Sequence, residues 1–150
     1  MGRASVGVWG MDLAKKDELI AIEIINPKAT LLVAGQNGIG KRTPFDEYRK
    51  QSRGGKGIIT MKTSDKTGLV AGALTVTDTD QAMLITSGGQ MIRTPVADIR
   101  ECGRNTQGVR LVRLGDKDKL VGLARVISEK DEAAAETASP AKIEKPAEKK

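Results

Sequence analysis

Gly103-Arg104-Asn105-Thr106-Gln107-Gly108-Val109 is the third occurrence of one phrase. It stands earlier as Gly2-Arg3-Ala4-Ser5-Val6-Gly7-Val8 and as Ser52-Arg53-Gly54-Gly55-Lys56-Gly57-Ile58, so that the arginines Arg3, Arg53 and Arg104 are spaced 50 and 51 residues apart. A second element keeps the same spacing: Glu18-Leu19-Ile20-Ala21, Gly68-Leu69-Val70-Ala71 and Lys119-Leu120-Val121-Gly122. A third occurs twice, an apolar run, a glycine turn and Arg-Thr-Pro, with Leu32 to Pro44 matching Met83 to Pro95 at an offset of 51. Three elements holding one period define a repeat whose units bury their apolar faces only against each other.

Within a unit the apolar segments are short, rich in Val, Ile and Leu, and interrupted by turn residues, which is a strand pattern rather than a helix pattern. Strands are expected near 6–13, 18–25, 30–35, 39–43, 57–63, 69–76, 81–86, 90–94, 108–114 and 120–127. Asn37-Gly38 and Gly88-Gly89 fall between apolar runs, where a tight hairpin needs residues that tolerate positive φ. The fold class is therefore all-β, with the four-stranded blade of a propeller-like array as its unit. Two and a half to three such units do not close a ring by themselves.

Composition removes most other chemistries. With no His and the single Cys102, the chain cannot build a His/Cys zinc site, a Ser-His-Asp or Cys-His catalytic group, or an internal disulfide. Neither a metal nor a cofactor is expected. Trp9, Phe45 and Tyr48 are the only aromatics, so the core must be aliphatic and base stacking has little to work with. One unpaired cysteine, no signal peptide and no long apolar run suit a cytoplasmic protein.

Residues 1–127 are expected to form the blade repeats and 128–150 a disordered charged tail, whose few large apolar residues cannot offset ordering entropy. The net charge is +6 overall, yet residues 127–150 hold five Lys against six acidic residues, so the basic excess belongs to the repeats. A compact basic domain points to a polyanion.

Gly35-Gln36-Asn37-Gly38-Ile39-Gly40-Lys41-Arg42 approaches a phosphate-binding loop, but Arg42 stands where the magnesium-binding hydroxyl belongs and Pro44 blocks the following helix. Its repeat, Ser87-Gly88-Gly89-Gln90, lacks the lysine, as a hairpin turn predicts. Tyr48 is matched by Ile99 and reads as a packing position, while the aspartates at turns read as acceptors for backbone amides.

Arg49-Lys50-Gln51-Ser52-Arg53-Gly54-Gly55-Lys56-Gly57 differs from these, because four cations share nine residues with three glycines. Bare glycine lets a phosphate approach backbone amides while Arg and Lys supply charge. Arg3 and Arg104 repeat Arg53, and Lys41, Arg42 and Arg93 lie in the other shared element. Equivalent positions of a propeller share a rim, so these cations are expected to form a stripe that follows a duplex backbone without reading bases.

Asn37-Gly38-Ile39-Gly40-Lys41-Arg42-Thr43, Tyr48 through Gly57, and Gly103 to Val109 resemble the C-terminal domain of the A subunit of bacterial DNA gyrase, a six-bladed β-pinwheel. The resemblance implies that residues 2–126 are the end of one blade plus the final two blades, a non-catalytic part of an ATP-dependent type II topoisomerase. It also implies binding and bending of duplex DNA on a basic rim in support of supercoiling, a nucleoid-associated setting, and partnership with the rest of the gyrase A subunit and, through it, the gyrase B subunit. Gln51, Ser52, Arg53, Gly54, Gly55, Lys56 and Gly57 are similar to the family's box motif, Gln-basic-Arg-Gly-Gly-basic-Gly. Ser52 departs from it, and the principal box belongs to the first blade, so this copy is expected to be an auxiliary contact. The alternatives are the related domain of the topoisomerase IV A subunit and a protein-interaction propeller.

Overall fold

In a computed structural model that describes residues 2–126, seven strands form two antiparallel sheets. The first sheet is built on a hairpin of β1 (Thr30–Gly35) and β2 (Ile39–Pro44), with β3 (Val70–Val76) on the outside of β1 and β6 (Val109–Arg110) on the outside of β2. The second is built on the hairpin of β4 (Gln81–Thr86) and β5 (Met91–Pro95), with β7 (Leu120–Val126) beside β4. Each hairpin thus takes a strand from the next repeat, as the pairs Leu32↔Leu74 and Leu84↔Leu123 show. Both hairpins are followed by a single 3-10 turn, Phe45–Glu47 and Val96–Asp98, in which Pro44 or Pro95 precedes the first residue.

The glycine turns do what the sequence requires of them. Gly38 and Gly89 have φ of 74° and 80°, so the phosphate-loop look-alike is a hairpin turn. The phrase glycines Gly7, Gly57 and Gly108 all adopt positive φ, at 89°, 76° and 90°. A conformation that L side chains avoid therefore recurs at one unit position.

An aliphatic core joins the two sheets, as the scarcity of aromatics demands. Leu32 and Val76 of the first sheet meet Ala82, Val96 and Ile99, while Ala34 meets Leu84, Val112 and Leu120. β4 alternates half-buried and buried residues, with Ala82, Leu84 and Thr86 inward, the period-2 signature of a half-buried strand.

Six expected strands are present with bounds within two residues of expectation: 30–35, 39–43, 69–76, 81–86, 90–94 and 120–127. The segments 6–13, 18–25 and 57–63 form no ladder beyond the isolated bridge Met11↔Gly55, and only Val109–Arg110 of 108–114 is laddered. The reason is the pairing across repeats. β3 is a strand because it adds to the hairpin of the preceding repeat, and β6 because it adds to the hairpin of the repeat before that. Segments 18–25 and 57–63 find no such hairpin among the described residues, and Leu19, Ile20, Ile22, Ile24 and Ile25 are left exposed. Beyond Arg110 the chain turns around the hairpin tip, with the Leu111 and Val112 amides both donating to the Gly38 carbonyl. The expected tail, 128–150, lies outside the described residues.

Candidate nucleic-acid interface

The segment 99–112 meets the outer edge of β2 twice, first in a parallel bridge of Glu101 with Arg42 and then, after a loop, in the antiparallel pairs of β6. The Arg42 amide donates to the Arg100 carbonyl at 3.3 Å and the Cys102 amide to the Arg42 carbonyl at 2.8 Å. Further on, Gly40 pairs with Val109 and Ile39 with Arg110. This stretch therefore brings Arg100, Arg104, Arg110 and Arg113 to the outer side of β2, with Arg110 alone on the laddered strand, and all are exposed except Arg104, which is half-buried. None of the four forms an ion pair among the described residues. Near the Asn37 turn, Lys66, Arg110, Arg113 and Lys119 line an open cleft of about 380 Å³ shared with Asp116 and Asp118.

Arg104 is held at three points. Its amide donates to Glu47 Oε2 at 2.9 Å, its Nη1 donates to the Ile59 carbonyl at 2.8 Å, and its carbonyl accepts from Lys41 Nζ. The loop that follows closes on itself, with Thr106 Oγ1 donating to the Gly103 carbonyl at 2.9 Å.

The glycine-rich segment is exposed along nearly its whole length. Arg49, Lys50, Gln51, Ser52, Arg53, Gly54, Lys56 and Gly57 face solvent and Gly55 is half-buried. Its backbone is fastened to the segment before it, by the Gly54 amide to the Gly10 carbonyl at 3.1 Å and the Asp12 amide to the Gly55 carbonyl at 3.0 Å. Arg53 and Lys56 have no carboxylate partner among the described residues. Arg3 is exposed, and no hydrogen bond or ion pair among the described residues ties it to Arg53 or Arg104.

Two expected contacts are corrected. Lys41 is fully buried, with its ammonium donating to the carbonyls of Gly103 and Arg104, and burial lowers its pKa below the ordinary lysine range. Arg42 is 7% exposed, donates from Nε to the Ile99 carbonyl at 2.7 Å and forms an ion pair with Asp78. Their charges are consumed inside the fold, so neither is a rim cation. Arg93, at Arg42's position in the second hairpin, is exposed and hydrogen-bonds Gln81.

Arg100, Arg110 and Arg113 were missed because the repeat comparison weighs shared residues, and Arg110 stands where the other units have Trp9 and Ile59. A plain count of cations per segment finds them. Tyr48 is half-buried, its hydroxyl hydrogen-bonded to Thr60, whereas its counterpart Ile99 is a core residue. Asp80 and Asp118 accept turn amides as expected, from Thr77 and from Gly88 and Lys119. No cluster of metal-binding side chains occurs among the described residues.

A repeat whose hairpins each take a strand from the next unit, with arginines on the outer side of β2 and an exposed glycine-rich basic loop, defines a propeller-type domain. The chain belongs to the family described as the DNA gyrase C-terminal domain, β-propeller, which matches residues 1–26, 29–77 and 80–127. It is 46% identical over 134 residues to the DNA gyrase A subunit of Mycolicibacterium smegmatis (strain ATCC 700084 / mc(2)155), covering 89% of this chain and 16% of that protein. It is 43% identical over 132 residues to the DNA gyrase A subunit of Escherichia coli (strain K12), covering 88% of this chain and 15% of the relative. The chain thus spans less than a fifth of the length of these relatives. Among solved structures, a DNA gyrase A C-terminal domain superposes with a TM-score of 0.63 at 30% identity, over 68% of this chain and 34% of the other. The C-terminal domain of DNA topoisomerase IV superposes with a TM-score of 0.76 at 25% identity, over 87% and 42%.

Proposed function

We propose that this chain binds and bends duplex DNA without sequence preference, as the C-terminal part of a DNA gyrase A subunit that supports supercoiling in the bacterial cytoplasm, at the nucleoid. The observation that carries the reading is the outer edge of β2, where the chain from 100 to 113 meets that strand twice and brings Arg100, Arg104, Arg110 and Arg113 to its outer side with no carboxylate partner among the described residues. Guanidinium groups along an edge contact phosphates, which position a duplex and carry no base information. The glycine-rich loop with Arg49, Lys50, Arg53 and Lys56 adds a second contact region.

In this reading the chain handles DNA and does no chemistry. Strand cleavage and ATP hydrolysis belong to the rest of the gyrase A subunit and to the gyrase B subunit, its partners in the assembly. The superposition on topoisomerase IV favours a second reading, the related domain of that enzyme. The box-like Gln51–Gly57 phrase and the identity to the gyrase A subunit support gyrase.

Titration of two duplexes of unrelated sequence over a salt series tests the function. Both should bind alike, with log K falling linearly against log salt, because phosphate contacts release counterions. A flat salt dependence, or strong preference for one sequence, overturns it.

A further inference from the structure

Three successive side chains of β2 act as a clamp on the loop that carries Arg104. Arg42 Nε donates to the Ile99 carbonyl at 2.7 Å, Thr43 Oγ1 to the Cys102 carbonyl at 2.8 Å, and Lys41 Nζ to the carbonyls of both Gly103 and Arg104. Lys41 is the unusual member. A buried ammonium is costly unless its donors are satisfied, and this one has two backbone carbonyls and no carboxylate in salt-bridge range among the described residues. The second hairpin has half-buried Ile92 at the same unit position, so the blade geometry does not itself require a cation there.

What the lysine secures is the main chain of Arg104. With the Arg104 carbonyl on Lys41, its amide on Glu47 and its Nη1 on Ile59, the residue is fixed before any ligand arrives. Fixing a long side chain in advance removes ordering entropy from the binding step. We propose that Lys41 is a positioning residue of the DNA interface, which presents Arg104 to a backbone phosphate from inside the fold and touches no ligand itself. This inference rests on the duplex-binding reading above.

A double-mutant cycle on the full chain tests it, using Lys41→Met, Arg104→Gln and the double variant, with duplex affinity over a salt series and thermal stability measured for each. If Lys41 acts through Arg104, Arg104→Gln flattens the log K against log salt slope by about 0.9, the share of one phosphate, and Lys41→Met lowers affinity several-fold at every salt concentration by loosening that contact. The double variant then loses no more than Arg104→Gln alone, because the two effects are one interaction. Fully additive losses, or a Lys41→Met variant that melts earlier yet keeps the wild-type affinity, would overturn the proposal.

Should Lys41→Met fail to fold, Glu47→Ala loosens the same loop from an exposed position. It should give the same loss of affinity, absent in the Arg104→Gln background, and an unchanged affinity would overturn the clamp. A wild-type chain that binds no duplex removes the functional reading and this inference with it. Salt-dependent wild-type binding with additive variants removes the inference alone.

Discussion

Gly108 lies against the Gly40 carbonyl so closely that a Cβ on Gly108 would stand 2.3 Å from that oxygen. This contact lets the edge strand meet β2 immediately before the Val109–Gly40 pair. It gives a physical reason for glycine at this position of the repeated phrase, beyond the positive φ that it shares with Gly7 and Gly57.

Gly108→Ala should therefore destabilise the fold more than Gly57→Ala. Both impose φ strain, but a Cβ at Gly57 meets nothing nearer than the Met11 side chain at 3.6 Å. A loss above about 1 kcal/mol is expected at Gly108, since an incompatible backbone makes Gly→Ala costly. Denaturant unfolding of the two variants compares them, and equal losses would contradict the close-contact argument.

Arg42 is expected to behave as a structural residue. Removing its side chain takes a hydrogen bond from the Ile99 carbonyl, breaks the ion pair with Asp78 and opens a gap beneath the loop. Arg42→Ala should cost about 1–3 kcal/mol, the range for leaving a buried polar partner unsatisfied. Asp78→Asn should cost much less, since that carboxylate is 76% exposed and the pair is solvent-screened on its side. Thermal melts measure both, and the reverse order would place Arg42 on the surface.

Asp118 fastens the second hairpin turn. Its carboxylate accepts from Ser87 Oγ at 2.7 Å and from the amides of Gly88 and Lys119, and hydrogen bonds from Ser87 and Thr86, with Gly88, hold its pKa at about 2 against the usual 3.8. A depressed folded-state pKa gives stability that is fully present above 3.8 and is lost as pH falls through about 2. Asp118→Asn should thus flatten the pH dependence of the melting temperature between those values. An unchanged profile would show that the turn does not depend on the charge.

The glycine-rich loop should contribute independently of Arg104. Arg53→Gln with Lys56→Gln should weaken binding to all duplexes alike and reduce the salt slope by about two, at roughly 0.9 per phosphate. Stability should change by less than about 0.5 kcal/mol, as for surface substitutions generally. An unchanged slope would remove this loop from the interface.

Which strands the sequence disclosed depended on where their partners lie. β1, β2, β4 and β5 are hairpins with local turn chemistry at Asn37-Gly38 and Gly88-Gly89, and β3 and β7 find their hairpins one repeat upstream. The 18–25 segment has the same apolar pattern as β3 but pairs with no hairpin among the described residues, and pattern alone cannot report that. The interface was legible in part for a related reason. Charge marks Arg53 and Lys41 alike, yet one is exposed and the other is fully buried, because an edge strand folds over β2 from residues far away in sequence. Ile92 at the Lys41 position was the available hint that this site faces inward.

The arginines on the outer side of β2 are expected to hold DNA phosphates. The most direct measurement is a salt series of duplex titrations comparing the wild-type chain with one in which Arg100, Arg104, Arg110 and Arg113 are all changed to Gln. If each contacts one phosphate, the slope of log K against log salt should fall by about 3.6, at roughly 0.9 per phosphate, with the variant still folded. A folded variant that retains the wild-type slope and affinity would contradict the account.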